Sequence, residues 1–204
     1  MLPAFYNQVK LSVESSDFAG DAPTGEIRYS GSVPIDIVSL LSEFFVASDN
    51  GINGGGLVDG ARIEASSAAQ HAGLAAGSSN IGGVRSHTEH TLNIINGETV
   101  DYNDSGRGDN PGRGFGIFVF LDLIEAQLDM AVNMPDGSVA LQTNADALSV
   151  CLMNTRIRAD RLVELGLEQI AAEDMEAISE QLAESTGMGG ELMAGVDLNQ
   201  DGVI

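Results

Sequence analysis

Three stretches of this chain hold residue types at spacings that suit ion chemistry. Two are loops of the calcium-binding type, at residues 101–109 and 197–204. Calcium takes about six to eight oxygen ligands, and a loop supplies them when Asp or Asn recurs at alternate positions and a glycine permits the sharp turn. Asp197, Asn199 and Asp201 fall at positions 1, 3 and 5 of such a loop, Gly202 at position 6 and Ile204 at the apolar position 8. The acid of position 12 would lie beyond Ile204, so this half-site is expected to need completion by a longer chain or by a partner. In the other loop, Asp101, Asn103, Ser105, Gly106 and Asp109 fall at positions 1, 3, 5, 6 and 9. Position 12 is Gly112, and Arg107 and Arg113 weaken the local negative field. Weak calcium binding is the expectation for both loops; the competing one is an Asx-rich turn that holds no ion. A weak site stays empty at cytosolic calcium levels, which favours an extracellular or periplasmic setting.

The third stretch contains all the histidines: His71, His87 and His90. If the helices on either side of Ser78-Ser79 form a hairpin, position 71 faces position 86, so His71 stands across from His87. His90 follows His87 at i+3 on the same face. Three imidazoles then converge, with Glu89, Glu64 or Asn93 nearby. Such a cluster suits Zn, Cu, Ni or Fe, or non-covalent haem iron. The ordinary alternative is a set of hydrogen-bonded core histidines. A hydrolase with Glu89 as base is a further possibility, but His87-Thr88-Glu89-His90 does not match the His-Glu-x-x-His zinc protease pattern. No catalytic residue is assigned. Gly112-Arg113-Gly114-Phe115-Gly116 opens a helix, where it could bind an anion or serve as a tight entry turn.

The chain that must position these groups has 204 residues and a formal net charge of −21. A field of that sign repels nucleic acid and anionic membranes and attracts cations. No apolar run is long enough to span a bilayer. Cys151 is alone, which leaves no internal disulfide, and its place within a helical pattern suggests a small core residue. Met1 to Phe5 lacks a basic region followed by an apolar run, so the sequence reads as cytoplasmic or as a mature, trimmed form.

Apolar periodicity predicts a mainly α fold: an antiparallel up-and-down helical bundle over residues 34–204, preceded by a short β-hairpin or strand pair within 1–33. Val9 to Val13 and Ile27 to Ser30 alternate as strands, and a strand pair must pack on the bundle or on another molecule to be stable. Pro34 suits a helix start. Further helices are expected over about 57–76 and 80–96, from the end of the 97–114 loop to the break at Met134, and over about 138–170 and 173–194, with Ser138 as an N-cap. Ala61, Ala65, Ala68, Ala72 and Ala75 form a stripe that permits close helix approach, while Gly187, Gly189 and Gly190 should weaken the last helix.

The run His87-Thr88-Glu89-His90-Thr91-Leu92-Asn93, the acidic loop Asp101 to Asp109 and the segment Asn110-Pro111-Gly112-Arg113-Gly114-Phe115-Gly116 together resemble a loosely defined group of uncharacterised bacterial envelope or secreted proteins. Val150 to Asn154 and Gly195 to Gly202 are similar to that group as well, so the resemblance covers about 60–204. It departs at Arg113, where an acid is expected, and at the end of the chain. The resemblance implies an envelope or secreted setting and carries no activity. Taken together, the sequence favours a non-enzymatic, calcium-stabilised extracellular or periplasmic module for assembly or adhesion, with a protein partner or self-assembly. The alternative is an envelope metal- or haem-binding protein built on the histidine cluster.

Overall fold

The structure, a computed structural model, describes residues 8–17, 25–32, 35–135 and 138–196. The second calcium-type loop, with Asp197, Asn199 and Asp201, lies outside the described residues, as do Pro34 and the centre of the N-terminal turn. Two strands, β1 (Gln8–Val13) and β2 (Glu26–Ser32), precede six helices: α1 (Ile35–Phe45), α2 (Leu57–Ala76), α3 (Ile81–Asn96), α4 (Ile117–Val132), α5 (Val139–Ala171) and α6 (Ser179–Ala194). The mainly helical fold with an N-terminal strand pair is therefore as expected.

The strands pair antiparallel, with Val9 opposite Gly31 and Leu11 opposite Tyr29, and the register is interrupted between Leu11 and Ser12. Every residue of β2 is exposed. Among the described residues, the strands pair with each other and share no extensive contact with any helix.

Helix α2 is the hub. It packs against α3, α4 and α6, and α5 closes the bundle against α3, α4 and α6. The small-residue stripe explains this: Ala65, Ala68, Ala72 and Ala75 are all buried, so neighbouring backbones approach closely. The glycines of α6 do not break it. Gly189 lies against Ala69, where an added Cβ would come within 3.1 Å of the Ala69 Cα, so that glycine is a seat for α2. Gly60 likewise leaves room for the Phe120 ring, which is fully buried. Burying one such aromatic ring stabilises the fold by about 2–3 kcal/mol.

Two details differ from the sequence reading. The last helix is preceded by a break after Ala171 and a short 3-10 turn, Glu176–Ile178, which seats Ile178 and Leu182 against Ala75 and Val84. Cys151 is exposed rather than core. Its helix buries Ala145, Ala159 and Leu162, whereas the stretch around Cys151 is open, with Val150 and Met153 also exposed.

A buried polar chain ties three helices together. The Thr88 hydroxyl on α3 donates to Gln169 Oε1 on α5 at 2.9 Å, and Gln169 Nε2 donates to Ser185 Oγ on α6 at 2.7 Å. Satisfied buried pairs of this kind specify helix register as well as stability. At the surface, Arg158 and Arg161 of α5 pair with Glu191 and Glu184 of α6. No helix of the described residues is long and apolar enough to cross a membrane.

Candidate metal centre

The hairpin of α2 and α3 brings the histidines together. The turn between them is capped by Asn80, whose side chain accepts the Gly83 N–H at 2.9 Å. His71 comes from α2, and His87 and His90 from successive turns of α3. His71 Nδ1 stands 3.3 Å from His87 Nδ1 and 3.3 Å from His90 Nδ1. The three candidate ligand atoms all lie within 4.8 Å of one another. The rings of His71 and His90 meet edge to face, with centroids 4.8 Å apart.

Both approaches are at hydrogen-bond distance, and they share one nitrogen between two partners. An imidazole nitrogen carries one proton or one lone pair. His71 Nδ1 can therefore complete one good hydrogen bond, yet it faces two nitrogens at equal distance. An ion that accepts a lone pair from each ring would use all three rings at once. Two ligand nitrogens about 2.0–2.1 Å from a tetrahedral ion stand about 3.3–3.4 Å apart, which matches the two separations from His71, while all three ligand atoms lie within 4.8 Å of one another.

The rings are half-buried, and burial disfavours their charged forms. The His71 imidazolium is pushed down to about 4, first by desolvation and then by the like charges of His90 and His87, against a smaller opposing pull from Asp109. His90 is also lowered, again mainly by desolvation, with Asp109 opposing. Both imidazoles are thus neutral near pH 7, the state in which they bind metals.

The segment 97–116, between α3 and α4, packs over this hairpin. Its ends meet: Gly97 and Gly116 have φ of +73° and +90°, and a Cβ on Gly97 would fall 2.5 Å from the Phe115 carbonyl oxygen. Three buried side chains hold the segment in place. Asn93, fully buried, donates from Nδ2 to the carbonyls of Val100 and Asp109 at 2.8 and 3.0 Å, and accepts the Val100 N–H at 2.8 Å. Glu89 accepts the N–H of Asn103 at 3.0 Å and of Asp109 at 3.4 Å. Glu64 on α2 accepts the N–H of Arg113 on both oxygens, at 3.1 and 3.0 Å, and that of Phe115 at 3.1 Å. The glycine-rich segment 112–116 is therefore an anion-binding turn whose anion is the chain's own Glu64. Glu89, considered above as a base, has each oxygen taken by a loop amide and acts as an anchor.

The residues of the first calcium-type loop are divided between two tasks. Asp101, Asn103 and Ser105 share one turn: Asp101 Oδ1 and Asn103 Oδ1 both accept the Ser105 N–H, at 3.0 and 2.9 Å, and Asp101 Oδ2 accepts the Gly106 N–H at 2.7 Å. Asp109 instead faces the histidines, with Oδ2 3.9 Å from His90 Nε2. The anchoring roles of Glu64 and Asn93 were not legible from spacing. The available signal was an acid, Glu64, set within an alanine-rich helix face beside Ala65 and Ala68.

Comparison with protein-family models, curated proteins and solved structures returns no match for this chain.

Proposed function

We propose that this protein binds one first-row transition-metal ion of the zinc class through His71, His87 and His90, and serves to retain or sense that metal. The observation that carries the proposal is the equal 3.3 Å approach of His71 Nδ1 to the Nδ1 atoms of His87 and His90. Neutral imidazoles, partial solvent access and a net charge of −21 all favour capture of a cation. Three nitrogen ligands leave a fourth position for water or another small ligand, as in open zinc sites. Haem is the weaker candidate: axial imidazoles stand on opposite faces of a macrocycle, whereas these ligand atoms all lie within 4.8 Å of one another.

A test uses protein purified without a histidine tag and stripped with a chelator. Zinc titration in competition with a chromophoric chelator should show one equivalent bound, and His71→Ala, His87→Ala and His90→Ala should each weaken binding at least about 100-fold. Absence of saturable binding, or unchanged binding in the three variants, contradicts the proposal.

A second reading, calcium at residues 101–109, is favoured by one observation. Asp101 and Gly106, at positions 1 and 6, are hydrogen-bonded, and Gly106 has φ of +92°, suited to the sharp turn such loops require. On this reading calcium steadies an extracellular or periplasmic assembly module, and the exposed strand pair is an edge available to a protein partner or a second copy.

A further inference from the structure

We infer that Asp109 is the outer partner of His90: its carboxylate accepts the Nε2–H of His90 and so fixes the ring with its Nδ1 lone pair aimed at the ion. This rests on the metal reading of the histidine cluster and gives the loop 101–109 a task within it.

The geometry separates the two edges of the His90 ring. Nδ1 points to His71, 3.3 Å away, and Nε2 points to Asp109 Oδ2, 3.9 Å away. A carboxylate beyond the outer nitrogen is on the wrong side to be a ligand and on the right side to orient one. Ligating histidines donate their other N–H to such a group, which sets the tautomer and raises ligand basicity. The present separation is about 1 Å longer than a hydrogen bond. The Asp109 side chain is 56% exposed, and on the proposal a rotation of it closes the gap.

The backbone of Asp109 is held far more firmly than its side chain. Glu89 takes its N–H and Asn93 donates to its carbonyl, at 3.4 and 3.0 Å. Glu89 and Asn93 are buried, and they share α3 with His87 and His90. One helix therefore carries two of the three ligands and fixes the residue that orients one of them. This is the support that precise ligand placement requires. It also explains why Asp109 leaves the Asp101 turn although its sequence position assigns it to the same loop.

The test compares wild-type protein with Asp109→Ala and Asp109→Asn, using zinc alone as the probe. In zinc-loaded wild-type protein, nitrogen-15 NMR should show His90 as a single tautomer, with Nε2 protonated and its proton slow to exchange. Asp109→Ala should abolish that slow proton and weaken zinc binding about 10–100-fold, with the melting temperature of the metal-free protein held within about 2 °C, because an exposed side chain contributes little to the apo fold. Asp109→Asn, which keeps a neutral acceptor, should fall between the two. If wild-type protein binds zinc and Asp109→Ala matches it within twofold, the role of Asp109 is overturned while the site stands. If zinc-loaded wild-type protein shows His90 protonated on Nδ1, the assignment is overturned directly. If wild-type protein binds no zinc, the metal reading itself falls and takes this inference with it.

Discussion

Both carboxylate oxygens of Glu64 accept the backbone N–H of Arg113, a residue 49 positions away on the loop that leads into α4. Glu64 is fully buried, and Phe115 supplies a further N–H to it at 3.1 Å. Replacing it with alanine removes the partner of both part-buried amides. Hydrogen bonds to a charged group contribute about 1.5–3 kcal/mol each, so Glu64→Ala should destabilise the fold by about 3–5 kcal/mol. For a chain of this size that is a fall of about 10 °C in Tm, measured by calorimetry. Glu64→Gln, which keeps one carbonyl acceptor, should lose less. Equal stability of all three proteins would remove Glu64 as the anchor of this loop.

A second prediction concerns acid. The folded-state pKa of His71 is lowered to about 4 from an ordinary 6.5. Between those values the unfolded chain takes up a proton that the folded chain does not. Stability is therefore complete above pH 6.5 and is lost as pH falls toward 4. His90 contributes in the same direction. Solvent screening of a half-exposed ring reduces the effect to about 1 kcal/mol, or about 2–4 °C in Tm. The metal-free His71→Ala variant should show a shallower decline across that window, by thermal melts in matched buffers. Zinc affinity should also fall with acid, since protons and metal compete for the same lone pairs.

Calcium provides a third. If the turn around Asp101 holds calcium, millimolar Ca²⁺ should raise the Tm of the wild-type protein by a few degrees and leave Asp101→Ala unaffected. Identical shifts in both proteins, or none in either, would remove calcium from residues 101–109. The readout is independent of the histidines, because the shared Asp101–Gly106 turn uses no atom of the histidine cluster.

Packing at the hub gives a fourth. An added Cβ at Gly60 would stand 2.4 Å from the Phe120 ring, so Gly60→Ala requires the ring or the helices to shift. Overpacking of this kind costs about 1–3 kcal/mol. It should lower Tm without altering zinc affinity at moderate temperature, because His71 lies about three turns further along α2.

The histidine cluster was legible in the sequence because it depends on two regularities. A hairpin centred on Ser78-Ser79 opposes position 71 to position 86, and the i+3 spacing of His87 and His90 puts both on one face of α3. The rest of the site follows no such period. Glu64, Glu89 and Asn93 find their partners among backbone amides and carbonyls, which are identical at every residue and leave no mark in sequence. Spacing from Asp101 assigns Asp109 to a calcium loop, whereas its backbone is placed by tertiary contacts with Glu89 and Asn93. The exposed position of Cys151 has a similar cause. Cys151 and Leu162 stand only about 20° apart around α5, so periodicity gives them one face, but neighbouring helices cover that face at Ala159 and Leu162 and leave it open at Cys151.

X-ray absorption spectroscopy of the zinc-loaded, tag-free protein tests the central claim most directly. The expected first shell has four ligands at about 2.0–2.1 Å, with the outer-shell scattering of three imidazoles. That imidazole signal should be lost in a His71→Ala, His87→Ala, His90→Ala triple variant. A first shell of oxygens alone, or three-imidazole scattering that survives in the triple variant, would contradict the metal centre proposed for His71, His87 and His90.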